Sequence, residues 1–339
     1  MKVLFIGGTG IISTACSALT VEKGMDLYLL NRGNRSEFAP EGAKFITADI
    51  NDVSAVSKAI EGHFFDAVVN WIAFTPDQVE RDISLFEGHT RQYIFISSAS
   101  AYQKPVTHYM ITESTPLANP YWQYSRNKIA CEDLLMRAYR ERSFPITIVR
   151  PSHTYGVTLI PTAFHGNTPW SIVDRMLKGK KIIVPGDGTS LWPVTHNTDF
   201  AKGFVGLLGN SQSIGHAFHI TTDEVLNWNQ ILEALGRAVG IEPELIHIST
   251  DFLMPFDASF EGTMRGDKSN SVVFDNSKIK KFVPDFVATT RFEEGIKLSI
   301  DWYRKHPELC ISDPEWDALC DKIIGAFELG INSASPSPK

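Results

Sequence analysis

The stretch VLFIGGTGIISTA at residues 3–15 constrains this chain more than any other. An apolar run of strand type stops at Gly7-Gly8-Thr9-Gly10, and Ile11-Ile12-Ser13 follows with small, helix-compatible residues. A buried strand, a tight glycine turn and a helix in succession make a corner where free N–H groups and the helix dipole favour an anion. In a dinucleotide-binding turn the first glycine makes the bend. The second admits the pyrophosphate to the backbone, and the third lets helix and strand pack closely. Gly7 and Gly10 fill the first two places, and Ser13 stands in the third. That third place does not touch phosphate, so the extra hydroxymethyl group is expected to cost packing and leave the site intact.

The rest of the first half repeats the pattern. DLYLLN (26–31), KFITAD (44–49), DAVVNWIAF (66–74), YIFISS (93–98) and ITIVR (146–150) read as strands without polar alternation. Helices are expected over 13–23, 52–60, 76–87 and 121–141. Strands buried on both faces and separated by helices predict an α/β fold with a doubly wound, Rossmann-like parallel sheet. Residues 1–160 are read as a dinucleotide-binding domain, with 196–222 returning to it through HAFHIT (216–221). Residues 161–195 and 223–330 are less regular, with helices over 227–239, 291–305 and 313–329. They are read as a smaller mixed α/β substrate part on the carboxyl edge of the sheet. The tail INSASPSPK (331–339) is expected to be disordered.

Bulk properties narrow the function. With 32 Lys+Arg against 39 Asp+Glu the net charge is −7, which repels nucleic acid. No window approaches the roughly 18 apolar residues of a membrane span. Met1-Lys2-Val3 enters a strand at once, leaving no room for a signal peptide. Cys16, Cys131, Cys310 and Cys320 lack any C-x-x-C spacing, so they are read as reduced packing residues of a cytoplasmic protein with no metal site.

Of nine tyrosines only Tyr124, in YWQYSRNKIACE, has a lysine four residues on. On a helix this sets Tyr124 and Lys128 on one face, a turn apart. A phenol near pKa 10 is a poor base at neutral pH. An adjacent ammonium and an oxidised nicotinamide cation favour tyrosinate, so a lowered Tyr124 pKa is expected, suited to acid/base work on an alcohol or carbonyl. Ser98 or Ser97, at the end of YIFISS, would hold the reacting oxygen. Asn31, Arg32 and Arg35 follow the second strand where an acid would take the ribose 2′-hydroxyl of NAD. Arg32 would pair instead with a 2′-phosphate, which leans the reading toward NADP. Asp49-Ile50 is placed to meet adenine.

With GGTGIIS, ADIND, SSASAY, YSRNK, RPSHTYG and VPGDGTSLWPVTHNTDFAKG, the chain resembles an extended short-chain dehydrogenase/reductase of the NAD-dependent epimerase/dehydratase group, from Val3 to about Tyr303. The resemblance implies a catalytic set of Ser98, Tyr124 and Lys128. Ser98 is preferred over Ser97 because the family's active hydroxyl lies four residues before the tyrosine of a V-Y-G-like stretch, here Ala101-Tyr102-Gln103. It implies NAD or NADP held by Gly7, Thr9, Gly10, Ile11, Ile12, Asn31, Arg32, Asp49, Ile50, Trp71, Ala73, Lys128, Pro151 and His153. Ser98, His153, His165, Trp170, Trp192, His196 and Arg265 are the candidates on the substrate side. Ala99-Ser100 stands where the family's 4,6-dehydratases carry an Asp-Glu pair, so dehydration is set aside. The expectation is hydride transfer on a sugar or nucleotide sugar, as an epimerase or an oxidoreductase. The alternative is NADPH-dependent reduction of a non-nucleotide carbonyl. The resemblance also implies a homodimer paired through 76–89 and 121–141. A further likeness is to chloroplast stem-loop-binding relatives of the superfamily, which bind RNA; the negative charge and the intact Ser-Tyr-Lys set argue against that reading.

Overall fold

A computed structural model of the chain describes residues 1–334. Seven strands form one sheet: β1 (Lys2–Ile6), β2 (Asp26–Asn31), β3 (Lys44–Thr47), β4 (Ala67–Asn70), β5 (Tyr93–Ile96), β6 (Ile146–Pro151) and β7 (Ala217–Ile220). All neighbours are parallel, in the order β3-β2-β1-β4-β5-β6-β7. The order reverses between β1 and β4, and a crevice opens at that point on the carboxyl ends of the strands.

Alternation along each strand divides its side chains between two cores. Leu4 and Ile6 of β1 join one with α2 (Val53–Ala59), α3 (Pro76–Phe86) and α4 (Gln123–Arg142). Val3 and Phe5 join the other with α1 (Ile11–Glu22) and α5 (Asn197–Leu207). With both faces covered, continuous apolar strands such as AVVN and YIFI are fully buried. α1 turns small side chains inward, Ser13, Cys16, Ser17 and Thr20. They let it lie close to the sheet and to α5, where Asn197 Nδ2 donates to Ile11 O (2.7 Å).

Strand and helix positions follow the sequence reading, with shifted ends. β4 stops at Asn70 rather than running on to 74, because the Asn70 side chain accepts from Ile72 N–H (2.7 Å) and turns the chain into the crevice. α2 is capped by Asp52, whose carboxylate accepts from Ala55 N–H (3.0 Å).

The second part of the chain is built on helices 171–177, 228–239, 292–305 and 314–334 and on short strand pairs. One pair is of particular use to the site: Val194–His196 beside His153–Tyr155 continues the backbone beyond β6. An unforeseen π-helical turn spans Glu261–Lys268, with Ser269 N–H reaching Met264 O, five residues back (2.9 Å). The last helix is tied down by the buried Arg175 guanidinium on Asp317 (2.6 Å) and Asp321 (2.8 Å). That helix runs to Ala334, which corrects the disordered tail expected over 331–339 for its first four residues; the last five lie outside the described residues. Among the described residues no helix is long and apolar enough to cross a membrane.

Candidate active site

The glycine corner needs its glycines. Gly7 and Gly8 have φ of +96° and +94°, the region that disfavours a Cβ. A Cβ on Gly8 would stand 2.6 Å from Leu29 Cδ2. Gly10 caps α1, and the first amide to close on its carbonyl is that of Thr14 (2.9 Å). The amides of Ile11, Ile12 and Ser13 precede that bond and have no partner within the helix. Ser13 departs from expectation. Its Oγ accepts from Gly10 N–H (2.8 Å), so it braces the loop, and Ser13 itself stands on the wall of the crevice.

The crevice measures about 680 Å³. Of the residues expected to hold a dinucleotide, Gly7, Thr9, Gly10, Ile11, Ile12, Asn31, Arg32, Asp49, Ile50, Trp71, Lys128 and Pro151 line it. Ala73 does not: it turns its carbonyl to Lys128 instead. His153 also lies off this wall and faces the neighbouring cavity. Gly8, Ser13, Asn34, Arg35, Asn51, Ile72, Phe74, Ser152 and Thr154 are among the other lining residues. Asn31 Oδ1 is engaged by Gly33 N–H (2.8 Å), which shapes the loop that brings Arg32, Asn34 and Arg35 to the rim.

Ser98, Tyr124 and Lys128 meet on the crevice wall. Ser97 also borders the crevice, but its hydroxyl donates to Glu132, whose carboxylate is held by Arg150 Nη2 (2.6 Å) and Nε (3.0 Å) in the core. Lys128 is 2% exposed. Its Nζ donates to Ala73 O and Ile96 O (2.7 Å each) and lies 5.8 Å from the Tyr124 ring centre. Burial lowers its pKa to about 8. The Ser98 side chain favours the Tyr124 phenolate, yet burial outweighs that effect and raises the phenol's pKa. For the protein alone the expected lowering is therefore not seen: burial, joined by the Asp267 carboxylate, outweighs the groups that favour phenolate.

A second cavity of about 340 Å³ lies beyond Tyr124. Ser98, Tyr124, Pro151 and Ser152 belong to both walls. Trp122, His153, Trp192, Asp267, Lys268 and Phe274 form much of the remainder. Indole N–H groups of Trp192 (3.2 Å) and Trp228 (2.9 Å) donate to Lys268 O and hold the 261–268 turn against the cavity. His153 Nε2 and Ser152 Oγ are buried without a partner among the described residues. Burial drives the His153 pKa well down, so its ring is neutral.

Of the substrate candidates, Ser98, His153 and Trp192 therefore line this cavity and four do not. His165 is an exposed residue bonded to Gly166 O (2.9 Å). Trp170 packs on Tyr303 (5.2 Å between rings). His196 caps α5 and meets Tyr155 edge-on. Arg265 turns outward to Asp251 (2.6 Å). Asp267 and Lys268 were missed because the π turn that presents them has no periodic pattern. Ser152 sits between two residues that the sequence had marked.

The model of the NAD dependent epimerase/dehydratase family matches residues 3–221. The chain is 25% identical over 260 residues to the chloroplast stem-loop binding protein of 41 kDa b of Arabidopsis thaliana, covering 73% of this chain and 65% of that protein, just under two thirds. It is 23% identical over 342 residues to a UDP-glucose 4-epimerase of Lactobacillus helveticus, covering 91% of this chain and 98% of that one. Among solved structures, UDP-glucose 4-epimerase of Thermotoga maritima with UDP-glucose matches with a TM-score of 0.72 at 20% identity, over 91% of this chain and 100% of that one. Likeness at that identity speaks for the fold.

Proposed function

Because the chain belongs to the NAD dependent epimerase/dehydratase family, enzymes of the extended short-chain dehydrogenase/reductase type, we propose that it is an NAD(P)-dependent epimerase or oxidoreductase of a sugar or nucleotide sugar, with Tyr124 as its acid/base. The observation that carries this reading is the shared wall: Ser98 and Tyr124 line both the crevice and the second cavity. A carbinol held against that wall would meet the Ser-Tyr pair, and a dinucleotide held in the crevice would supply hydride-transfer chemistry beside it.

The crevice fits a dinucleotide. Its corner presents three helix-start amides, a Cβ at Gly7 would stand 3.2 Å from Ile72 Cγ2, and the buried Trp71 Nε1 on the same wall has no partner among the described residues. The bound nicotinamide supplies a site that accepts or returns a hydride. Ser98 donates to the substrate oxygen, and Tyr124 Oη gives a proton to that oxygen or takes one from it. Lys128 keeps a third hydrogen beyond its two carbonyl bonds, for a ribose hydroxyl. A protonated phenol beside an ammonium is poised to protonate a carbonyl oxygen, the direction of reduction. Arg32 and Arg35, which form no ion pair among the described residues, border the crevice with Asn34 and favour a 2′-phosphate and hence NADP. Trp122 offers an apolar ring to a sugar, Trp192 is covered by the Lys268 ammonium (4.3 Å) and backs the wall, and neutral His153 with Ser152 offers hydrogen bonds to the sugar hydroxyls.

Tyr124→Phe tests the proposal. Hydride exchange across a panel of nucleotide sugars and simple ketones should fall by about 10²-fold or more, with NAD(P) affinity nearly unchanged in fluorescence titration. Undiminished turnover refutes the assignment. Mass spectrometry of any nucleotide that copurifies distinguishes NAD from NADP and a nucleotide sugar from none.

A further inference from the structure

A chain of buried hydroxyls leads back from Ser98 into α4. Ser125 Oγ donates to Ser100 Oγ (2.8 Å), and Ser100 Oγ lies 2.9 Å from Ser98 Oγ. Behind them the Asn119 amide nitrogen stands 3.2 Å from Ser125 Oγ. The orientation of that amide is set by main chain. Its nitrogen donates to Gly266 O (2.8 Å) and Ser100 O (2.9 Å), and its oxygen accepts from Tyr121 N–H (3.2 Å). Turned over, it would press an oxygen against two carbonyl oxygens. Asn119, Ser100 and Ser125 are buried, so solvent does not compete for these bonds.

Direction follows from donor and acceptor capacity. An amide nitrogen only donates, so the Ser125 hydrogen points away from Asn119, to Ser100. Ser100 Oγ then accepts, and its own hydrogen goes to its other neighbour, Ser98. Ser98 Oγ also takes the Ser100 N–H (3.2 Å). Two donors from the protein face Ser98 Oγ, and its own hydrogen is left for the cavity side, which Tyr124 also lines.

We propose that Asn119, Ser125 and Ser100 are positioning residues that fix Ser98 as a one-way hydrogen-bond donor, stabilising negative charge on Tyr124 Oη or on the substrate oxygen. The inference rests on the functional reading above. It gives a role to Ser100, which stands within the pair of positions where related dehydratases carry acids. The charged groups facing Tyr124 are Lys128, from the next turn of α4, and Asp267, from the 261–268 turn, itself paired with Lys268 (2.7 Å). Substitution of Ser100 or Ser125 leaves all three in place.

The test is a spectrophotometric titration of phenolate with saturating NAD⁺ or NADP⁺ in separate arms, each protein compared with its own Tyr124→Phe background so that only Tyr124 is read. Ser100→Ala should raise the Tyr124 midpoint by about one pH unit, a tenfold loss of phenolate at fixed pH. Ser125→Ala should raise it less, and Ser100→Thr, which keeps the hydroxyl, should return it toward the parent value. Unmoved midpoints in both alanine variants overturn the proposal, as does a Tyr124 that stays protonated up to the pH of unfolding. If Tyr124→Phe retains turnover, the functional reading itself fails; if it loses turnover while the midpoints stay put, only the relay fails.

Discussion

Replacing Lys128 by Met probes the electrostatics of the site through stability alone, without a known substrate. The ammonium is buried, and its pKa falls from an ordinary 10.5 to about 8. Below pH 8 both folded and unfolded chains hold the proton, and the folded state carries the whole penalty of the buried charge. Between 8 and about 10.4 the folded state has released its proton while the unfolded chain still binds one, so stability rises with pH. The gap is worth about 3 kcal/mol at 1.36 kcal/mol per pH unit. Deprotonation does not sacrifice the two carbonyl bonds, because a neutral amine keeps two hydrogens for Ala73 O and Ile96 O. Met removes the charge penalty but leaves both carbonyls without that donor, at about 1–3 kcal/mol each. The variant is therefore near parity or somewhat weaker at pH 7, and falls further behind as the parent is relieved. Urea unfolding of both proteins without cofactor at pH 7 and pH 10 measures this, since the other titrating groups are common and cancel. The stability difference in favour of Lys128 should widen by about 2–3 kcal/mol. A difference that stays constant or narrows refutes the argument.

Arg32→Ala should weaken NADPH binding about tenfold or more while changing NADH binding little, because only the former offers a phosphate for a charge-assisted bond; equal losses in fluorescence titrations of the two would remove the 2′-phosphate assignment. Glu132→Leu should cost about 3–5 kcal/mol in urea unfolding, since it strands the buried Arg150 guanidinium. Adding Arg150→Met should recover most of that loss, and a double variant as weak as the single one would show that the buried ion pair is not what matters there.

The parallel sheet, its helices and the glycine corner could be read from the sequence because they depend on short-range pattern. Continuous apolar strands such as YIFI, the Gly7–Gly10 turn and the i,i+4 spacing of Tyr124 and Lys128 declare themselves within a few residues. Ser13 shows the limit of such reading: its place in the motif was plain, but its bond to Gly10 N–H was not. Which of several histidines and tryptophans reach the second cavity was decided by packing. Trp192 and His153 lie there, whereas Trp170 is taken by Tyr303 and Arg265 by Asp251. Asp267 and Lys268 line the same cavity as Tyr124, on a turn whose Lys268 carbonyl is held by two indoles far apart in sequence. The pKa of Tyr124 belongs to the same class. Residue type and spacing announced an ammonium nearby, but the degree of burial comes from elements spread from Ser98 to Phe274, and that burial reversed the direction of the shift. Local sequence thus determined the architecture and the Tyr124–Lys128 pairing, because hydrogen bonding and periodic burial act over a few residues. The tertiary structure decided the lining of the second cavity and the direction in which burial shifts the pair, because desolvation depends on everything that closes around a group.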